Sequence, residues 1–192
     1  CYTTMSGEIT IPGSSNEYGY TINQDAEYEQ IRADLFSGET VRREPIYFEC
    51  NDYGNPYYYS REGKDDLAGA YVEISLTLQH LWFYKEGSLI FETDVVTGFP
   101  SPDRETITGV FPLAYKKSPD ILIGENDSYR TEVQYWMPFY EGQGLHDATW
   151  QSSFGGSTYL VSGSHGCVNL SLGAAAFIYE NIEPGMAIVL YT

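Results

Sequence analysis

From residue 70 the chain alternates. Val72, Ile74, Leu76 and Leu78 are apolar, while Glu73, Ser75, Thr77 and Gln79 between them are polar. A period of two puts each set on its own face of an extended chain, which predicts a strand with one buried and one wet face. Lys85-Glu86-Gly87-Ser88 reads as the turn of a hairpin whose second strand occupies 89–97. At the other end, Ala187, Val189 and Tyr191 alternate through a closing strand over 186–191. Nineteen glycines and eighteen tyrosines favour β structure interrupted by turns. Helical spacing is confined to two short stretches. Tyr28, Ile31 and Leu35 fall on one face of 23–36, with Asn23 as cap, Asp25 and Glu27 at the positive end of the dipole, and Gly38 as stop. A second helix is predicted over 172–181, capped by Ser171 and ended before Pro184-Gly185. The fold class is mainly β, with one or two short helices in the β domain and a small α+β segment ahead of it.

The amino-terminal third is less regular. Tyr18, Tyr20 and Ile22 suggest a strand or hairpin turning at Pro12-Gly13, and 51–66 reads as a loop or linker carrying Tyr57-Tyr58-Tyr59. The expected division is 1–69, the end of a preceding α+β domain, and 70–192, a second domain. No apolar run approaches the roughly 20 residues of a membrane span. The net charge of −17 argues against nucleic-acid partners, whose phosphates need lysine and arginine. Cys1, Cys50 and Cys167 show no disulfide spacing; Cys50 is expected inside a strand.

Chemistry concentrates in Ser164-His165-Gly166-Cys167-Val168-Asn169. A thiol is nucleophilic only as thiolate, and a nearby imidazole can take its proton. In an extended segment His165 and Cys167 share a face. Gly166 permits close backbone approach, and N–H groups there can receive a developing oxyanion. A second histidine lies in Gly144-Leu145-His146-Asp147-Ala148. Phe154-Gly155-Gly156-Ser157 and Ser162-Gly163-Ser164 between them allow the chain to leave one strand and return beside it, bringing His146 to Cys167. Other readings stand beside this one. A lone cysteine is most often a small buried hydrophobe. Cysteine with two histidines, completed by Asp147, would suit zinc, although His-Gly-Cys fits no finger spacing.

The segment resembles the signature of the YkuD family of L,D-transpeptidases, which is a histidine, some twenty residues, then Ser/Thr-His-Gly-Cys-x-Asn/Arg. Here His146 and Cys167 stand 21 positions apart, and Ser164 to Asn169 match without a gap. Tyr71-Val72-Glu73-Ile74, Asp94-Val95-Val96-Thr97-Gly98, Tyr135-Trp136-Met137-Pro138-Phe139 and Phe154-Gly155-Gly156 extend the likeness to the firmicute branch. It is strong over about 70–192 and looser before. The resemblance implies a β-sandwich-like catalytic domain over 70–192, preceded by part of a peptidoglycan-binding-like domain. It implies a cysteine-dependent acyltransferase without metal or cofactor, located outside the cytoplasm, in the wall or anchored to the membrane. Its implied partners are peptidoglycan stem peptides, a donor tetrapeptide and an acceptor amine, and carbapenem β-lactams as covalent inhibitors. The implied product is a 3→3 cross-link that serves wall organisation and cell shape.

Carried onto this chain, the resemblance makes Cys167 the nucleophile and His146 the general base and acid. Ser164, His165, Gly166 and Asp147 support the loop and the oxyanion pocket. Tyr135, Trp136, Met137, Trp150 and Asn169 are the expected substrate contacts. Two departures stand out: relatives usually have Thr-Pro-x-Gly where this chain has Thr106-Ile107-Thr108-Gly109, and arginine after the tryptophan where it has Gln151. An L,D-carboxypeptidase that passes the same thioester to water, and a wall-binding module whose cysteine only packs, remain alternatives at this point.

Overall fold

A computed structural model describes residues 2–5, 7–10, 18–19, 22–49, 67, 69–124 and 128–192. In chain order its elements are β1 (Tyr2–Thr4), β2 (Gly7–Ile9), α1 (Gln24–Ser37), β3 (Tyr71–Ser75), β4 (His80–Lys85), β5 (Ser88–Asp94), β6 (Gly109–Pro112), β7 (Asp120–Ile123), β8 (Arg130–Val133), β9 (Trp136–Tyr140), β10 (Gln143–Asp147), α2 (Tyr159–Ser162), β11 (Val168–Leu170), α3 (Leu172–Asn181) and β12 (Ala187–Tyr191). The helix readings hold at both ends. Asn23 caps α1 by accepting from the Ala26 N–H, with Gly38 left-handed at its end, and Ser171 caps α3 by accepting from Ala174. The hairpin at Glu86-Gly87 has both central residues at positive φ, 52° and 72°, the geometry that matches strand twist in a two-residue turn.

A five-stranded sheet of order β5-β4-β3-β12-β6 faces a three-stranded sheet of order β11-β10-β9. The main core lies between them. Val72, Ile74, Leu81, Phe83, Phe111, Ile188 and Leu190 come from the larger sheet, and Met137, Phe139, Leu145, Val168 and Leu170 from the smaller. Ala174, Ala175 and Ile178 of α3 join the same cluster. Each fully buried large aliphatic contributes roughly 1.5–3 kcal/mol, so this interface is the principal source of stability. The mainly β, sandwich-like architecture expected from the sequence is what the chain adopts.

Several local expectations are corrected. β3 has no wet face: Glu73 and Ser75 are each 1% exposed. The far side of the large sheet carries a second apolar cluster of Tyr18, Val110, Ala187, Val189 and Tyr191, with Ile9 and Leu67 packed against it. The Glu73 carboxylate is satisfied there, accepting from the Met5 N–H at 2.9 Å and the Tyr191 hydroxyl at 2.6 Å. β3 also ends at Ser75; Leu76 to Gln79 form a turn, and Leu78 is exposed. Tyr28, Ile31 and Leu35 of α1 are exposed as well. The amino-terminal hairpin closes between Thr4 and Gly7. Pro12-Gly13, Tyr20, Cys1, Cys50 and the three adjacent tyrosines lie outside the described residues. Pro138 makes no turn; it sits inside β9 opposite Gly144, next to a register shift at Gln143/Gly144, where a missing N–H is tolerated.

Candidate active site

Alternation across the small sheet sorts its residues. β10 pairs with β11 in parallel, Leu145 opposite Val168 and His146 opposite Asn169, and antiparallel with β9, Leu145 opposite Met137 and His146 opposite Trp136. Leu145, Val168 and Met137 point into the core. His146 and Asn169 therefore take the outer face, and so does Cys167, one residue before β11. A cleft of about 270 Å³ opens over that face. His146, Cys167 and Asn169 form its floor; Ser162, Gly163, Ser164 and His165 form one wall. Trp150 and the β7–β8 hairpin, through Leu122, Tyr129 and Thr131, supply the remainder.

His146 is 4% exposed, its ring held between Trp136 and Trp150, each 5.9 Å away by centroid. Its Nδ1 lies 2.9 Å from the Asp147 carbonyl oxygen. A carbonyl only accepts, so Nδ1 carries the proton and Nε2 keeps its lone pair. Burial lowers the imidazole's pKa, opposed by the Asp147 carbonyl and charge. Cys167 is half-buried, its sulfur 3.7 Å from the Gly142 carbonyl oxygen. Burial pushes its thiol up to about 11, although a hydrogen bond from the Gly144 backbone pulls the other way. Burial thus works against the charged form of both groups, the imidazolium and the thiolate.

The motif loop is tied down residue by residue. Ser164 Oγ accepts from the Gly166 N–H at 3.1 Å and donates to the Cys167 carbonyl oxygen at 2.5 Å. The segment after β5 runs alongside: Ser164 N–H donates to the Thr97 carbonyl, Phe99 N–H to that of Ser164, and Val96 and Asn169 exchange both backbone bonds. Gln79 fixes this segment in turn, accepting from the Thr97 N–H and donating to its hydroxyl. Gly166 has a φ of 113°, and a Cβ there would fall 2.6 Å from the Gln143 amide. Only glycine fits such a position. Arg104 donates to the Gly163 carbonyl at 2.7 Å.

Of the residues singled out from the sequence, Cys167, His146, Asn169, Ser164, His165 and Trp150 meet in the cleft. Gly166 sits buried beneath it, its N–H engaged by Ser164. Asp147 reaches the site through its carbonyl; its carboxylate turns away and accepts the N–H groups of Gln134 and Tyr135, both at 2.8 Å. Met137 is fully buried in the core and touches no cleft, because alternation points it inward. Tyr135 packs on Tyr179 instead, and Trp136 meets the site only by flanking the His146 ring. None of the three expected contacts at 135–137 lines the cleft. Gln151 bonds Ser162 Oγ and the Ser153 carbonyl. The sequence reading missed Leu122, Tyr129 and Thr131, which sit on a short hairpin with no motif. It also missed Gln79, Arg104 and Gln143, polar residues whose partners are distant in sequence. Among the described residues no group of three or more His, Cys, Asp or Glu is placed to hold a metal ion, and no helix is long and apolar enough to cross a membrane.

The family model for the YkuD L,D-transpeptidase catalytic domain matches residues 69–190. The crystal structure of a cysteine-to-serine mutant of the Enterococcus faecium L,D-transpeptidase is 31% identical, with a TM-score of 0.75, over 98% of this chain and 71% of that one. The Ldtfm–avibactam carbamoyl enzyme gives 31%, 0.77, 98% and 70%. The E. faecium catalytic domain acylated by ertapenem is 36% identical, with a TM-score of 0.57, over 64% of this chain and 97% of its own. No curated protein matches the chain.

Proposed function

The chain belongs to the YkuD L,D-transpeptidase family, and from that premise we propose that it cross-links peptidoglycan stem peptides through a thioester on Cys167. The observation that carries this reading is the placement of His146 and Cys167 on one outer face of β10–β11, lining a single cleft. As the sulfur attacks the carbonyl of the L-centre at the third stem position, the thiol proton passes to His146 Nε2. The carbonyl electrons move to oxygen, then return as the C–N bond to the terminal D-residue breaks. That amine leaves with the proton from His146, and a thioester remains. An acceptor amine on a neighbouring stem attacks the thioester, His146 takes its proton, and collapse releases the 3→3 link and the thiol. On this proposal the work is done outside the cytoplasm, at the wall. Trp150, exposed at the rim, and Asn169, on the floor, are the proposed substrate contacts.

A relative acylated by ertapenem supports a strained β-lactam as a donor mimic here. Incubation with a carbapenem should add one drug mass to the intact chain, and Cys167→Ala should abolish both the adduct and all turnover. With a defined disaccharide-tetrapeptide, a cross-linked dimer is expected. A trimmed tripeptide stem alone would mean hydrolysis instead. A fully active Cys167→Ala protein would end the proposal.

A further inference from the structure

We propose that Thr106, outside the His-Gly-Cys motif, is a positioning residue that aims the backbone N–H of Cys167 at the developing oxyanion; this rests on the acyl-enzyme reading above. The Thr106 side chain is buried, and its hydroxyl makes two bonds at once. It accepts from the Gly98 N–H at 2.8 Å and donates to the Gly166 carbonyl oxygen at 2.8 Å. Its single proton is thus used on Gly166.

That carbonyl belongs to the peptide unit whose nitrogen is Cys167 N. A trans peptide is planar, with C=O and N–H pointing in opposite directions. Pinning the oxygen on Thr106 therefore fixes the N–H on the other side. Among the described residues that N–H makes no hydrogen bond, whereas the Gly166 N–H is occupied by Ser164 and the Cys167 carbonyl by the same hydroxyl. The loop thus leaves the nucleophile's own N–H unoccupied beside the sulfur, which is where an acyl-transfer oxyanion needs a donor.

Thr106 is itself held from both sides by one side chain. Gln143 accepts from the Ile107 N–H at 3.0 Å and donates to the Glu105 carbonyl at 3.2 Å, and its amide occupies the space a Cβ on Gly166 would need. A left-handed glycine has many conformations available when unrestrained. The Gln143–Thr106 clamp selects one of them.

Two rates separate this role from general support of the loop. Carbapenem acylation needs both a reactive sulfur and an oxyanion donor; alkylation by iodoacetamide needs the sulfur alone. Thr106→Val should slow acylation about 100-fold, the scale of losing one oxyanion donor, with alkylation changed less than about twofold. Thr106→Ser should restore acylation to near the wild-type rate. If Thr106→Val does not fold, Gln143→Ala takes its place, with a smaller loss in acylation and again none in alkylation. Unchanged acylation in the variants, parallel loss of both rates, or a serine variant as slow as the valine one would overturn the role of Thr106. A wild-type chain that takes no acyl group would instead overturn the functional reading on which it rests.

Discussion

His146 donates its Nδ1 proton to the backbone carbonyl of Asp147, its own neighbour, at 2.9 Å. The tautomer is set by a group that can neither titrate nor rotate away without breaking the strand. The same carbonyl cannot stabilise an imidazolium as a carboxylate would, and burial lowers the ring's pKa below its ordinary 6.5. The sulfur, pushed up to about 11, is equally unwilling to ionise in isolation. The acylation rate should therefore show an acid limb below pH 6.5, where His146 takes up a proton, and a plateau through neutrality. Iodoacetamide alkylation in a His146→Ala variant should keep rising with pH and level off only near 11. A thiolate absorbance already present at pH 7 would contradict this.

The same two groups contribute to the pH dependence of stability. His146 has a lower pKa folded than unfolded, so the unfolded chain binds more protons as pH falls below 6.5, and stability drops there. Cys167 has a higher one folded, so between about 9 and 11 the unfolded chain has released a proton that the folded one retains, and stability drops again. Thermal melts should show Cys167→Ala reducing the loss between about pH 9 and 11 and leaving the acid one, while Tyr84, pushed up to about 12 by burial, keeps a loss at higher pH. An alkaline limb identical in the variant would assign it to other groups.

Asp147 does two separable things. Its carbonyl orients His146, while its carboxylate, 1% exposed, satisfies the Gln134 and Tyr135 N–H groups. Asp147→Ala leaves the first untouched and orphans two donors, at a cost of about 1–3 kcal/mol each. Chemical denaturation should show that loss, and Asp147→Asn, which keeps an acceptor oxygen, should recover much of it. The acylation rate of the folded Ala variant should stay within a few-fold of wild type. A fall as deep as that of His146→Ala would mean that the carboxylate acts in the chemistry.

Which features were legible in the sequence follows from how local their physics is. The α1 and α3 caps are satisfied within three residues, so Asn23 and Ser171 identified them without tertiary information. The Glu86-Gly87 turn and the alternation in β3 are equally local. The second buried face of β3 was not legible, because Glu73 is kept dry by Tyr191 and Met5, far along the chain in either direction. At the site the motif located Cys167, but the pairing of His146 with Asn169, two residues further on, fixed the shared face. The inward turn of Met137 follows from its pairing with Leu145, which an aromatic-rich stretch does not announce. Thr106 carried a visible departure beside it, Ile107 for the usual proline; that residue's N–H is the one that binds Gln143, a bond proline cannot make.

Gly166→Ala tests how tightly that loop is built. The new Cβ would meet the Gln143 amide at 2.6–2.8 Å and sit on a residue whose φ of 113° disfavours any side chain. The steric part is relieved by moving Gln143; the backbone part is not. Gly166→Ala should therefore lose most acylation and about 1–3 kcal/mol of stability. A Gly166→Ala, Gln143→Ala double variant should recover some stability but little activity. Full recovery of acylation would show that the clash, and not the backbone conformation, was the fault.

Met137 and Trp150 separate core from cleft. Met137 is fully buried between the sheets, so Met137→Ala should cost about 2–5 kcal/mol through the cavity it leaves, with KM for a donor peptide unchanged in the folded fraction. Trp150 is 53% exposed at the rim, its ring tilted beside that of His146. Trp150→Ala removes little buried area, so the melting temperature should move by no more than a few degrees. It does remove one of the two rings that hold the imidazole, together with a flat apolar surface open to a peptide. KM should rise, and kcat should fall modestly as the ring gains freedom. A Trp150→Phe variant, which keeps a ring beside His146 with less surface, should recover kcat more fully than KM. If both constants stay at wild-type values in Trp150→Ala, the rim plays no part in substrate binding, and the substrate contacts must be sought on the β7–β8 side, at Tyr129 and Thr131.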